Sequence, residues 1–186
     1  MYERRCFKFK EELNNYSEWK NIIECLLLVS DNPLTTKKIK EITGLEKKII
    51  NFLIKKLISD YEDSTRPFRI YEIAGGYKIG TKSRYSLWVK KISENREKYH
   101  ISKAALETLA VIAYNQPITR LEIEKVRGVN CSGVLFSLLK HKFIKISGRK
   151  KVPGNPLIYK VTDTFLIHFG LKKLSDLPKL TEIGII

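Results

Sequence analysis

The chain contains one internal repeat, and this repeat limits its possible folds more than any other feature of the sequence. Shifted by 84 residues, Asn32-Pro33-Leu34-Thr35 falls on Gln116-Pro117-Ile118-Thr119, and the agreement continues with Ile39 on Ile123, Ile42 on Val126, Gly44 on Gly128 and Leu45 on Val129. A single repetition at this period is typical of a duplicated domain, because solenoids repeat every ~20 to 50 residues. The sequence therefore predicts two copies of one module.

Each copy has the pattern of three helices. In the first copy, apolar residues recur at helical spacing before Pro33, namely Trp19, Ile22, Ile23, Leu26 and Leu27. Thr35 can cap a second helix over 36–43, with Ile39 and Ile42 pointing inward, and Gly44 can end it in a left-handed turn. A third helix follows from residue 46 to residue 59.

The second copy repeats this order, with a first helix over 102–115. Thr119 and Glu122 have the spacing of a capping box, Gly128 supplies the turn, and Asn130 can cap a third helix that runs to residue 142. A short helix, a glycine turn and a further helix make a helix-turn-helix.

Short β-prone segments follow each third helix. In the first copy, 68–73 and 77–81 flank Gly75-Gly76, and in the second copy, 143–147 and 157–161 flank a loop over 148–156. A β-hairpin after a helix-turn-helix is a wing. We therefore expect a mainly α fold with small β-hairpin wings, of class α+β, in which two winged-helix domains stand in tandem.

The predicted domain organisation has five parts. Residues 1–16 form an N-terminal segment, 17–83 the first winged-helix domain, 84–100 a charged connector helix, 101–163 the second winged-helix domain and 164–186 a tail with a short amphipathic helix.

Cysteine usage and hydropathy indicate a cytoplasmic protein. Cys6, Cys25 and Cys131 are odd in number and widely spaced, which favours a reducing compartment. The N-terminus has no secretory pattern, and the most apolar stretch, 22–29, is far shorter than the ~20 residues of a membrane helix. We expect no contact with a membrane.

The net charge of +15 favours a polyanionic partner, with nucleic acid the first candidate, and a solvated basic surface is an equal alternative. Arg149, Lys150 and Lys151 in the second wing are candidates for nonspecific DNA contact, although a solvated basic turn is an equal alternative. Sequence-specific reading is disfavoured, because the polar residues left on the third helix of this copy are Ser132, Gly133, Ser137, Lys140 and His141.

No pattern in the sequence predicts catalysis. His100, His141 and His168 stand apart, without the neighbours that would make a base or a metal ligand. The glycines of 75–80 lack the spacing and context of a phosphate-binding loop. We expect a protein that is not an enzyme and has no metal or cofactor.

The third helix of the first copy is apolar over most of its circumference, leaving a polar stripe of Asn51, Lys55 and Lys56. One apolar face would fill the core of the module, so a second face predicts a protein interface. Ile49, Phe52 and Ile54 are the candidate residues for a homodimer interface. Packing within the chain is the alternative.

Three segments resemble one known family. SKAALETLAVIAYNQPITRLEIEKVRGVN at 102–130, GRKKVPGNPLIY at 148–159 and TFLIHFGLKKLSDLP at 164–178 resemble, in this order, segments of segregation and condensation protein B, ScpB. Asn155 stands where the family often has Arg, and Cys131 stands where a small hydroxyl residue is common. The loss of an arginine there weakens the case for charge contacts by this part of the wing.

The resemblance implies a non-enzymatic accessory subunit that forms a homodimer and binds the kleisin ScpA, which bridges the ATPase heads of SMC. Such a subunit would act in chromosome condensation and segregation, in the cytoplasm and on the nucleoid. The competing hypothesis is a winged-helix transcription factor, in which dimerisation sets the spacing of half-sites.

Overall fold

A computed structural model describes residues 16–63, 65–93 and 101–179. The chain divides into two units, Met1–Ser93 and Glu94–Ile186. Each unit has its own core. Residues 1–15 of the predicted N-terminal segment, 94–100 of the predicted connector and 180–186 of the predicted tail lie outside the described residues.

The described part of the first unit has three helices, a hairpin and a fourth helix. The helices are α1 (Tyr16–Val29), α2 (Thr36–Thr43) and α3 (Lys47–Glu62), the strands are β1 (Phe68–Ile73) and β2 (Gly76–Thr81), and α4 (Ser86–Ser93) follows a 3₁₀ turn at Ser83–Tyr85. The strands pair antiparallel, with Phe68 opposite Thr81 and Ile73 opposite Gly76.

The second unit repeats the order of three helices and a hairpin. Its elements are α5 (Lys103–Asn115), β3 (Ile118–Thr119), α6 (Arg120–Arg127), α7 (Ser132–Lys140), β4 (Ile144–Arg149), β5 (Leu157–Val161), α8 (Asp163–Phe169) and a 3₁₀ turn at Leu174–Asp176. The sheet has the order β3-β5-β4, and both of its pairings are antiparallel. The mainly α fold with two winged-helix units is confirmed.

The repeat is seen at atomic detail in the second helix of each unit. α2 and α6 have equal length and lie 84 residues apart. The Thr35 hydroxyl accepts a hydrogen bond from the backbone N–H of Lys38, and the Thr119 hydroxyl accepts one from that of Glu122. Gly44 and Gly128 both end their helices in the left-handed conformation, at φ 73° and 70°, which favours glycine.

A short β-bridge recurs in front of these helices. Leu34 pairs with Tyr77 of β2 through two backbone hydrogen bonds of 2.9 Å, and Ile118 pairs with Tyr159 of β5. The start of each helix-turn-helix is therefore fixed to its own wing by the backbone.

The structure corrects two details of the repeat. Ile39 and Ile123 are fully buried, but Ile42 is 50% exposed and does not point inward as predicted. Leu45 is buried, whereas Val129 is exposed and the buried residue before α7 is Cys131. The turn of the second unit contains an added residue, so the side chain that enters its core comes later.

Polar contacts join α1 to α3 in the first unit. The Lys20 ammonium lies 2.9 Å from the Asp60 carboxylate, and the Tyr61 hydroxyl donates to the Glu24 carboxylate. Burial raises the pKa of Tyr61 to about 12, and the hydrogen bond to the Glu24 carboxylate is the second largest cause of this rise. The neutral phenol is therefore the donor throughout the physiological pH range.

The C-terminal segment is part of the second core. Phe165 of α8 is buried in it, and Leu171, Leu174 and Leu177 pack against it. The predicted amphipathic tail helix is thus α8, which begins at Asp163. None of the described helices is long and apolar enough to cross a bilayer.

Ile39→Ala should lower the free energy of unfolding by about 2–5 kcal/mol, because it removes a fully buried side chain and leaves a cavity. Urea unfolding followed by tryptophan fluorescence measures this, since Trp19 packs against the same core. Ile42→Ala is the matched control on α2 and should cost less than about 1 kcal/mol. An equal decrease in the free energy of unfolding of the two variants would contradict the burial of Ile39 and the exposure of Ile42.

Candidate interaction surfaces

Most of the apolar surface of α3 is used inside its own unit. Its buried residues are Ile50, Leu53, Ile54, Leu57 and Tyr61, and Ile49 and Ile58 pack against the same core while partly exposed. The wide apolar circumference therefore has an intramolecular explanation for most of its members. This was the alternative that the sequence left open.

The three candidate residues for self-association fall in different environments. Ile54 is 1% exposed and fills the core, so it cannot contact a second chain and is removed from the candidate set. Ile49 is half-buried, and Phe52 is 47% exposed with its ring centroid 5.8 Å from that of Tyr16. The remaining candidate surface on α3 is centred on Phe52.

A second apolar surface was not found from the sequence. Leu87, Trp88 and Ile92 of α4 are all strongly exposed. The sequence predicts a charged connector helix here, and Lys90 and Lys91 lie among its apolar residues. Its apolar spacing was the signal that could have identified it.

The helix that would enter the DNA major groove, α7, lacks the side chains for reading bases. Phe136 is 70% exposed at its centre, beside exposed Gly133 and Lys140. The Asn130 side chain, predicted to cap the helix, accepts hydrogen bonds of 2.9 and 2.7 Å from the backbone and hydroxyl of Ser132. No Arg, Asn or Gln lies on α7 to make bidentate bonds with bases.

The three wing residues predicted to touch DNA differ in their contacts. Arg149 donates to the Asn155 carbonyl at 3.0 Å, and the Lys150 ammonium lies 2.5 Å from the Glu122 carboxylate. Lys151 is exposed. Two of these three cations are thus partly engaged within the unit, which orders the wing and reduces the charge it offers to a partner.

Glu122 connects the wing to the helix-turn-helix. One carboxylate oxygen accepts from Lys150, and the other accepts hydrogen bonds of 2.8 Å from both the backbone N–H and the hydroxyl of Thr119. The hydrogen bond from Lys150, followed by those from Thr119, lowers the pKa of Glu122 to about 2. The predicted capping box is confirmed, and it has a third member in the wing.

The histidines do not form a site in the part of the chain that the structure describes. His141 Nδ1 lies 2.9 Å from the Ser137 carbonyl, and the His168 ring meets the Phe143 ring edge-on at 5.1 Å. His100 lies outside the described residues. No group of three or more His, Cys, Asp or Glu among the described residues could hold a metal ion.

An apolar groove of about 270 Å³ lies in the second unit between α5, α8 and the segment after α8. Its lining residues are Leu106, Leu109, Ala110, Ala113, Tyr114, Phe165, Phe169, Leu171, Leu177 and Pro178. The Tyr114 hydroxyl donates to the Pro178 carbonyl at 2.7 Å. The groove can hold apolar side chains, and its lining includes no carboxylate, histidine or thiol for catalysis.

Comparison with known proteins gives consistent matches. The family model of the segregation and condensation complex subunit ScpB matches residues 21–180. Segregation and condensation protein B of Symbiobacterium thermophilum is 44% identical over 163 residues, covering 88% of this chain and 74% of that protein. The protein of the same name from Clostridium tetani is 39% identical over 163 residues, covering 88% and 86%.

Among solved structures, a crystal structure of a dimer of the ScpB N-terminal domain complexed with ScpA peptide is similar to part of this chain. It is 23% identical and covers 41% of this chain and 95% of its own, with a TM-score of 0.39.

The pKa of Glu122 gives a pH-dependent contribution to stability. Because the pKa falls from 4.5 to about 2 on folding, the contribution is complete above pH 4.5 and disappears as the pH falls toward 2. Wild type should exceed Glu122→Gln in free energy of unfolding by at most about 1 kcal/mol at neutral pH, since the side chain is 43% exposed and screened.

Thermal melts of both proteins between neutral pH and pH 2 measure this difference. Lys150→Gln is the control, because it should remove the largest cause of the shift and shrink the pH-dependent part. A difference that persists unchanged at pH 2 would rule out the ionised carboxylate as its source.

Proposed function

Since the chain belongs to the ScpB family of segregation and condensation complex subunits, we propose that it is a non-enzymatic accessory subunit that forms a homodimer and binds the kleisin ScpA. The match of the family model over residues 21–180 carries this proposal, because it spans both winged-helix units. The described side chains support it, since they include exposed apolar groups suited to a protein interface and no group that could hold a metal ion.

Within such a complex, the chain would reach SMC through ScpA. The ATP chemistry would then belong to SMC, and this chain would contribute contacts only. We place it in the cytoplasm, on the nucleoid, where the complex would act in chromosome condensation and segregation. No cofactor is needed for this role.

Self-association is assigned to the exposed apolar surface of the first unit. Phe52 and the half-buried Ile49 remain candidates on α3. An aromatic side chain exposed to this extent has apolar area to bury against a second chain.

Direct DNA contact is a further part of the proposal. The net charge of +15 favours polyanions, and Lys151, with Arg149 and Lys150 beside it, would meet phosphates without reading bases. The transcription-factor hypothesis has less support, because α7 presents Phe136 rather than base-reading side chains.

Phe52→Ser combined with Ile49→Thr should weaken self-association at least about tenfold, since the changes remove apolar area from the proposed interface. Sedimentation velocity over a range of protein concentrations measures the dimerisation constant. Phe136→Ser is the matched control, because Phe136 occupies the third helix of the other unit and is even more exposed. An unchanged dimer in the double variant would exclude this surface.

Binding to ScpA is tested by co-purification. The full chain should retain a tagged fragment from the central region of a kleisin through washes at high salt, since an apolar interface is not screened as surface charge is. Binding to duplexes of several sequences is measured in parallel. Tight binding to one sequence, with no kleisin retained, would support the transcription factor and refute the accessory subunit.

A further inference from the structure

A long segment of the second unit contains cations and no carboxylates. Between Glu124 and Asp163 the sequence has nine Lys or Arg and no Asp or Glu. This segment includes α7, the wing loop and both wing strands. The whole hairpin is therefore positively charged, and not its tip alone.

Two of these lysines face each other across the wing. Lys145 of β4 and Lys160 of β5 are directly opposite in the antiparallel register, and both are exposed. Side chains at such positions have Cβ atoms about 4.5–5.5 Å apart, and like charges in this arrangement repel. The hairpin folds with this repulsion, so an anion placed over the pair would relieve it.

The position of the pair is set by strand alternation. Ile144 and Tyr159, the neighbours of Lys145 and Lys160 along their strands, are buried against the helices. Successive side chains of a strand point to opposite faces, so the two lysines lie on the outer face of the wing. Ile158, which shares that face with Lys160, is only partly exposed.

Other charged groups of the unit do not neutralise the pair. Three carboxylates are engaged by other cations: Glu107 by Arg127, Glu122 by Lys150 and Glu124 by Arg120. Asp176 accepts from the backbone of Lys173, and Asp163 lies in the first turn of α8. Among the described residues, no carboxylate is within ion-pair distance of Lys145 or Lys160.

Further cations extend the surface along the hairpin. Lys142 is exposed just before β4, and its carbonyl accepts from the Thr162 hydroxyl, which places it beside the end of β5. Arg149 lies at the other end of β4, about 14 Å from Lys145 at the rise of an extended strand. The result is an elongated row of positive charge, with Lys145 and Lys160 near the base of the wing.

The first wing provides a contrast within the same chain. Its corresponding hairpin pairs Tyr71 with Lys78, and Glu72 follows on the same strand. The Lys78 ammonium donates to the Asp31 carbonyl. Because the two wings share a fold, the opposed lysines are a property of the second wing rather than a requirement of the hairpin.

We propose that the outer face of the β4–β5 hairpin, where Lys145 and Lys160 oppose each other, binds the phosphate backbone of duplex DNA without reading its sequence. Phosphates recur along a strand at about 3.4 Å of axial rise, so a row of cations can meet several at once. The outer face lacks the exposed aromatic side chains that would favour a bilayer surface. The inference rests on the proposed DNA contact and moves its centre from the wing tip to the wing base.

The test uses the full chain and a fluorescent duplex of arbitrary sequence, with binding measured by anisotropy between about 50 and 200 mM salt. Lys145→Glu with Lys160→Glu should lower affinity at least about tenfold and reduce the slope of log affinity against log salt by about 2. Lys37→Glu with Lys47→Glu is the matched control, since it changes the net charge equally at two exposed lysines of the first unit.

The single variant Lys145→Glu separates binding from folding. It places opposite charges across the strands, so the hairpin should be at least as stable in thermal melts while DNA affinity falls. Arg149→Ala with Lys151→Ala tests the wing tip independently. If DNA affinity falls in the Arg149→Ala/Lys151→Ala variant and does not fall in the Lys145→Glu/Lys160→Glu variant, this inference is overturned and the proposed DNA contact still stands.

Two other results would overturn the proposal. One is an equal DNA affinity and an equal salt slope in the Lys145→Glu/Lys160→Glu variant and in its control, Lys37→Glu/Lys47→Glu. The other is that the Lys145→Glu/Lys160→Glu variant no longer binds phosphatidylserine vesicles but still binds DNA as well as the wild type. This result would assign the surface to a membrane. A loss confined to DNA supports the proposal.

Discussion

The structure depends on one local unit that occurs twice, a threonine-capped helix of eight residues that ends at a left-handed glycine. Its buried isoleucine, Ile39 or Ile123, belongs to the hydrophobic core of its own unit. The residue before the cap is bonded to the wing, through Leu34 or Ile118. Cap, turn and bridge therefore fix the helix-turn-helix and its wing together.

The local nature of the cap and the turn explains how much of the fold could be predicted from the sequence. Thr35, Gly44 and their partners at 119 and 128 carry local signals whose geometry does not depend on distant residues, so the second helices were placed correctly at both ends. Exposure was harder to predict. Ile42 and Ile54 have the same side chain, yet one is exposed and the other buried, because tertiary packing decides which helical face is covered.

In the candidate surfaces, too, some features follow from residue types alone and others depend on tertiary packing. The absence of base-reading side chains on α7 followed from its residue types alone. Ile54 could not be assigned without the fold, since periodicity cannot show which of the two apolar faces of α3 is covered. The opposed lysines 145 and 160 depend on strand register, and a β-bulge between Ile146 and Gly148 hides that register from a simple count along the hairpin.

The two copies share the cap, the turn and the bridge, and they can diverge elsewhere. A cap, a turn and a bridge occupy few positions, so the outer faces of the helices and wings can change with little effect on folding. In the first unit these outer positions include the exposed Phe52 on α3. In the second they carry lysines on the wing, and Glu122 holds the wing loop against the capped helix. Holding the wing loop in one arrangement reduces the entropy lost when the wing meets a row of phosphates.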